Sequence, residues 1–369
     1  MSNLWKDNPE RIEALKKHAD SGFSIKEIAK LMGISYDAIE CAKRRYGIKI
    51  KPKISPYIER EESEEPIEKE ELTRKAIDKI IVQNLKKELK DVPKITIAKS
   101  KNKKGDTLVI HLTDWHAGKL VKNQDGTIIY DETVFKARTE VFCEQILKLL
   151  DNNIKQGVNI TDVVILSTGD NANGENIYET QAYEQEIAPP KQVMLVVKAM
   201  QALITSLLDR KLAVRFYGVK GNHGRLAKDA DPSANWDLMI YLVLDYWAKL
   251  VIKSPKLFIK YAETDYLTCV IRGHKYMIRH IAPESADAPS GRVKFNEWAR
   301  LHGVDGIVYG HYHHFGVCDV DGIRVFRGGS VVGPDSLSDS MAKSAEPIQL
   351  IWGVNEDRTM TFVYAVDLN

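Results

Sequence analysis

Five short polar runs, each at or just past the end of an apolar, β-type stretch, constrain this chain more than any other feature. They read Asp114-Trp115-His116, Gly169-Asp170, Gly221-Asn222-His223, a lone His280, and Gly310-His311-Tyr312-His313. Five of the chain's ten histidines fall in them. A fold that keeps this order has to bring several strand ends to one edge, where rigid sheet supports exposed loop side chains. Carboxylate, imidazole and carboxamide oxygen suit a hard-to-borderline divalent cation, and the set suffices for two cations sharing one carboxylate. Such a pair serves phosphate-ester hydrolysis.

The intervening sequence says what carries these loops. From Thr107 onward, apolar β-branched runs alternate with amphipathic helical ones. Strands are expected at Leu108–Leu112, Val163–Leu166 and Val214–Val219, with helices at Asp131–Lys155, Lys191–Leu208 and Trp236–Leu250. A hairpin is expected over Tyr266–Ile271 and Lys275–His280, then a helix near Val293–His302. That helix leads to a strand at Gly306–Tyr309, and a run of antiparallel strands follows, at Phe315–Val320, Ile323–Phe326, Ile348–Val354 and Met360–Val366. The expected fold class is α/β, with two sheets face to face and helices outside: a two-sheet α/β sandwich.

At 369 residues the chain has room for one large core and something smaller. Three zones are expected: a small all-α module over residues 1–50, a charged linker over 51–106 with one helix at about 71–91, and a catalytic domain over 107–369. The first zone is basic, with 12 Lys and Arg against 7 Asp and Glu over Met1–Lys53, whereas the whole chain carries only +2. Any nucleic-acid affinity therefore has to be local. In the linker, Glu59–Glu71 holds 8 acids against 2 bases, which reads as a solvated stretch. The helix after it is short, about two and a half heptads, and is expected to pack on the main domain, with homodimerisation as the alternative. Four widely spaced cysteines without a CxxC pair, and no signal-like or membrane-length apolar run, point to a soluble, cytosolic chain with no membrane partner, and a bacterial or viral origin would suit its architecture.

Taken together and in order, the DxH, GD, GNH, H and GHxH runs resemble the calcineurin-like metallophosphoesterase superfamily over about Thr107 to Leu368. Asp114-Trp115-His116-Ala117-Gly118 is similar to the DxHxG form of the Mre11/SbcD-like nuclease branch. The resemblance implies that Asp114, His116, Asp170 and His313 hold one ion, while Asp170, Asn222, His280 and His311 hold the second, with Asp170 bridging. Two carboxylates cannot neutralise two dications, so such a site stays positive and attracts phosphate. Mn²⁺ is the expected metal, and Fe²⁺ and Zn²⁺ also suit mixed His/carboxylate ligands. His223 fits a catalytic proton donor or a transition-state hydrogen bond to the leaving oxygen. Arg225 is a candidate phosphate contact. The chain departs from family members acting on phosphoproteins: Asn171-Ala172-Asn173-Gly174 follows the GD run with no arginine, and Gly224 follows the GNH run in place of an acid.

Phe23–Ile39 resembles the helix-turn-helix of DNA-binding regulators and resolvases. Ser24 with Glu27 forms a capping-box pattern, Ile25, Ile28 and Leu31 give a buried face, Gly33 allows the turn, and Ser35 caps the next helix. Lys43, Arg44 and Arg45 on that helix can meet phosphates. The leading expectation is a two-metal DNA nuclease tethered to DNA by this module. The alternatives are a phosphodiesterase or phosphatase for small nucleotides, and a DNA-binding regulator with an inactive scaffold. The intact polar set speaks against the last, because buried polar groups are costly to keep without use.

Overall fold

The computed structural model describes residues 8–21, 23–50, 105–123, 125–179, 181–286, 288–334 and 346–369. The chain forms two compact units, Met1–Thr96 and Ile97–Asn369. The helix expected at about 71–91, and the dimer reading attached to it, lie outside the described residues.

In the first unit, α1 (Pro9–Asp20), α2 (Ile25–Met32) and α3 (Tyr36–Tyr46) enclose a small core of Leu15, Ala19, Ile28, Ile39, Ala42 and Ile48. The capping box is formed in both directions: Ser24 Oγ accepts from Glu27 N, and the Glu27 carboxylate accepts from Ser24 N at 2.8 Å. Gly33 takes the left-handed conformation that ends α2. One expectation fails here and another holds in part. Leu31 is exposed and Met32 packs against the core in its place, since a core this small covers only part of α2. Ser35 does occupy the N-cap of α3, but its side chain makes no capping hydrogen bond.

In the second unit, strands β1 (Asp106–Leu112), β4 (Ile160–Ser167), β5 (Ala213–Val219) and β6 (Leu257–Ala262) run parallel, and β12 (Ile348–Val354) and β13 (Val363–Asp367) extend the β1 side antiparallel. A small pair, β2 (Val121–Lys122) and β3 (Ile128–Tyr130), stands apart. The second sheet has the order β10 (Gly316–Val320), β11 (Ile323–Arg327), β9 (Gly306–Tyr309), β8 (His274–Arg279) and β7 (Tyr266–Ile271). β10 and β11 pair antiparallel, whereas β9 is parallel to both β8 and β11.

Alternation along the strands explains the layers. Leu108, Ile110 and Leu112 of β1, with Val163 and Ile165 of β4, face a core shared with α4 (Glu132–Lys155), α5 (Pro189–Asp209) and α6 (Trp236–Trp247). The intervening Val109, Val164 and Leu166 face a second core between the sheets, joined by Ile278, Val308, Phe326 and Trp352. A third core lies between the second sheet and α7 (Pro289–His302). With both faces buried, the strands read as nearly continuous apolar runs. α5 is long and apolar enough to cross a membrane by composition, but here its buried residues, among them Val196, Met200 and Leu203, belong to the first core. The helix expected over Trp236–Leu250 changes to a π turn at Ala248–Ile252.

Trp352 is fully buried and stacks on Phe326, with ring centroids 4.1 Å apart and planes 13° off parallel. Truncating it opens a cavity between the sheets, so Trp352→Ala is expected to cost about 3–5 kcal/mol in denaturant unfolding. Tyr246→Ala, at an exposed position, should stay within about 0.5 kcal/mol of the parent.

Candidate metal centre

Each polar run leaves the carboxyl end of a strand: Asp114 after β1, Asp170 after β4, Asn222 after β5, His280 after β8 and His311 after β9. The backbone turns sharply there. Nine described residues other than glycine have positive φ, and five of them are Asp114 (52°), His116 (42°), Asp170 (52°), His311 (80°) and His313 (63°). Short polar side chains tolerate this region better than most, yet each such residue still costs on the order of 1 kcal/mol or more. Strain gathered on these positions is the mark of a site whose geometry is held by everything around it.

The side chains converge. Asp114, His116 and His313 form one group with candidate ligand atoms all within 4.8 Å of one another, and Asp170, His280 and His311 form another; His116, Asp170 and His223 make a third that links them. His116 Nε2 and His313 Nε2 are 3.0 Å apart, and they lie 3.8 and 3.6 Å from Asp114 Oδ1. His280 Nδ1 donates to the Thr168 carbonyl at 2.8 Å, which turns Nε2 toward Asp170 Oδ2, also at 2.8 Å but off the line of a good hydrogen bond. Asn222 donates its Nδ2 to Tyr178, and its buried Oδ1 has no hydrogen-bond partner among the described residues. Carboxylates and imidazole nitrogens crowded together in a buried place, and a buried carbonyl oxygen with nothing to accept from, are costly unless positive charge lies among them. These residues therefore fit a pair of divalent cations.

What holds the loops together is a residue the sequence reading missed. Asp237, in the first turn of α6, is buried and accepts from Asp170 N (3.0 Å), Asn171 N (2.9 Å) and Gly221 N (2.8 Å), and from the Asn171 side chain. One carboxylate thus ties the GD and GNH loops together. Those loops also touch directly: a Cβ on Gly169 would lie 2.2 Å from Gly221 N, so neither glycine can be exchanged without parting them. On the other side Gln349 of β12 accepts from Thr113 N (3.0 Å) and Trp115 Nε1 (3.3 Å) and donates to the Thr113 carbonyl (3.1 Å), bracing the Asp114 loop. The only signal for Asp237 is an acid at a helix start, where acids are common for other reasons.

Charge in the cluster is arranged around Asp170. Burial alone would raise its carboxyl, but His280, His223 and His116 hold it well below the usual range. Burial pushes Asp114 up to about 7, with further help from Asp170. For His280 burial is outweighed by Asp170, which raises the imidazole to about 9. In the metal-free protein a proton on His280 thus supplies the positive charge this position calls for. Burial brings His223 down to about 4 and His111 to about 3, so both rings are neutral at pH 7. His111 bonds Thr168 Oγ1 at 2.8 Å and sits edge-on to Trp352, a structural role inside β1.

The remaining candidates fall as follows. His223 lies beside the cluster, its ring 4.5 Å from that of His116 and its backbone N–H on Asp170 Oδ1 at 2.7 Å. Arg225 is half-buried, and its Nε donates to the Asn222 carbonyl at 3.2 Å. In the first unit, Arg44 and Arg45 are exposed, whereas Lys43 is half-buried with Nζ 3.3 Å from Glu40; Arg44 Nε is 3.7 Å from the same carboxylate.

Residues 107–315 match the family model described as calcineurin-like phosphoesterase. The chain belongs to that family. Residues 6–48 match a homeodomain-like domain, in keeping with the helix-turn-helix. Among solved structures, an archaeal phosphodiesterase is 14% identical, with 70% of this chain and 99% of that one covered and a TM-score of 0.34. Vacuolar protein sorting 29 of Cryptosporidium parvum is 16% identical (68% and 86% covered, TM-score 0.31), and a phosphoesterase-like protein of Streptococcus pneumoniae is 13% identical (71% and 98% covered, TM-score 0.27). No match was found among curated proteins.

Two outcomes follow from this geometry. Asp237→Asn, which puts an amide group where two N–H donors need an acceptor, should weaken Mn²⁺ binding on the order of ten- to a hundredfold in calorimetric titration. Unchanged affinity would show that the carboxylate does not set the loops. For metal-free protein, His280 has a folded value of about 9 against 6.5 ordinarily, so its stabilisation is complete below about 6.5 and is lost as pH rises through 9. Asp114, raised from 3.8 to about 7, adds a loss in the same direction below that. The neutral His111 and His223 act oppositely, but only below about 6.5. Melting temperature of the metal-stripped phosphoesterase unit should therefore fall by a few degrees from pH 7 to 9, and added Mn²⁺ should raise it most at the upper end. A flat profile would contradict the assignment.

Proposed function

We propose that this phosphoesterase is a two-metal DNA nuclease held on its substrate by the N-terminal helix-turn-helix. The observation that carries the reading is the place of Asp170, which groups with His280 and His311 on one side and with His116 and His223 on the other, while His116 groups in turn with Asp114 and His313, and the Asn222-His223 loop bonds Asp170 through the His223 N–H. Two cations held there would supply Lewis acidity and an activated water for attack on phosphorus. The chain's own part is to fix the ligands, to keep Asp170 ionised, and to place His223 at the rim, where its ring can hydrogen-bond the leaving oxygen. Arg225, close behind Asn222, is placed to take a non-bridging phosphate oxygen.

The nucleic-acid part rests on the union of such a centre with a helix-turn-helix whose last helix carries exposed Arg44 and Arg45. His223, His311 and His313 all keep part of their surface exposed, which suits a polymer lying across the loops. Manganese is the proposed metal and the cytoplasm the proposed location.

Labelled single- and double-stranded DNA incubated with the protein and Mn²⁺ tests this. Cleavage is expected, with kcat reduced on the order of a hundredfold or more in His223→Ala and abolished in Asp114→Ala. Intact DNA alongside turnover of mononucleotide or cyclic substrates would favour a small-nucleotide phosphodiesterase. Replacing both Arg44 and Arg45 by Ala should weaken DNA binding and lower its salt slope by about one to two.

A further inference from the structure

Tyr178 lies in the segment between the Gly169-Asp170 run and α5, a stretch without sequence periodicity. Its surroundings are built rather than loose. Gln181 Oε1 accepts from Ile177 N (2.7 Å) and Tyr178 N (3.1 Å), while Gln181 Nε2 donates to the His223 carbonyl (3.3 Å). A Cβ on Gly174 would lie 2.3 Å from that same carbonyl oxygen, so this segment and the GNH loop are in backbone contact. From this anchored position the Tyr178 hydroxyl accepts from Asn222 Nδ2 at 2.7 Å. The ring stands 4.7 Å from that of His223, inclined by 41°, and 44% of the residue remains exposed.

A carboxamide is nearly symmetric in shape, and only its partners decide which end is oxygen. By engaging the nitrogen, Tyr178 leaves the buried Asn222 oxygen as the end with no hydrogen-bond partner among the described residues, one residue before the His223 N–H that bonds Asp170. The exposed part of the ring, beside the histidine placed for the leaving oxygen, is an aromatic surface of the kind that stacks a base without reading its identity. We propose that Tyr178 is a positioning residue with two parts: its hydroxyl orients the Asn222 oxygen toward the second cation, and its ring stacks the nucleobase next to the reacting phosphate. The proposal rests on the phosphodiesterase reading above and adds to it a preference for a base at the site.

The test uses the full chain stripped of metal, as wild type, Tyr178→Phe and Tyr178→Ala. Mn²⁺ titrated calorimetrically should bind wild type as two equivalents, and both variants should lose about five- to tenfold in affinity for one of them. Thymidine 5′-monophosphate and deoxyribose 5-phosphate are then titrated into the Mn²⁺-loaded proteins. Wild type and Tyr178→Phe should favour the base-bearing ligand on the order of tenfold, and Tyr178→Ala should bind both alike. Wild-type Mn²⁺ affinity in Tyr178→Phe overturns the orienting role, and a base preference that survives in Tyr178→Ala overturns the stacking role. Neither readout needs turnover. Failure of the phosphodiesterase reading shows itself separately, as wild type inert toward bis-p-nitrophenyl phosphate with Mn²⁺ present.

Discussion

The carboxylate of Asp237 is the interaction on which the rest of the site depends. It gathers backbone N–H groups from two loops that leave different strands, and it does so from the first turn of a helix packed on the same sheet. Without that acceptor, the Asp170 and Gly221 amides would be buried donors with no partner, each a penalty of about 1–3 kcal/mol. Satisfying them also fixes Asp170 relative to Asn222. One polar group thus settles both the solvation of the loops and the spacing of the ligands, and burial on all sides keeps water from competing for it.

The layering explains why five loops can share one edge. β1 and β4 are parallel neighbours in one sheet, β8 and β9 in the other, and all four end in polar runs. Side chains of both sheets fill the space between them, with Trp352 and Phe326 at the centre. Close packing of this kind leaves the two sheets little room to shift, and a bimetallic centre, whose groups must be held to within about 0.5 Å, requires that. The contribution of the outer helices is less direct. α5 and α6 seal the far face of the first sheet, and α6 brings Asp237 and Asn235 to the loops as it does so.

Much of this was legible in the sequence because the informative patterns are local. The polar runs stand at the ends of β-branched stretches, α4 and α5 show helical periodicity, and Ser24 with Glu27 marks a helix start. What escaped was set by distance or by context. Asp237 is indistinguishable from an ordinary first-turn acid until its three distant donors are in view. β6 is a half-exposed edge strand whose Leu257-x-Ile259-x-Tyr261 alternation is weak beside its fully buried neighbours. Leu31 misled because helical periodicity says which face is apolar, not how much of it a small core can cover. Tyr178 carries no pattern at all, as is usual for residues whose role comes from a loop's tertiary anchoring.

The left-handed backbone at Asp114, His116, Asp170, His311 and His313 sets stability and activity against each other. Glycine at any of these positions would relieve the local backbone, and it would remove a candidate metal ligand. Substitutions that discard the site are thus partly rewarded by firmer folding, and drift left unchecked would carry such a chain toward a sturdier, inert protein. Retaining all five against that gradient takes continued selection for what the site does.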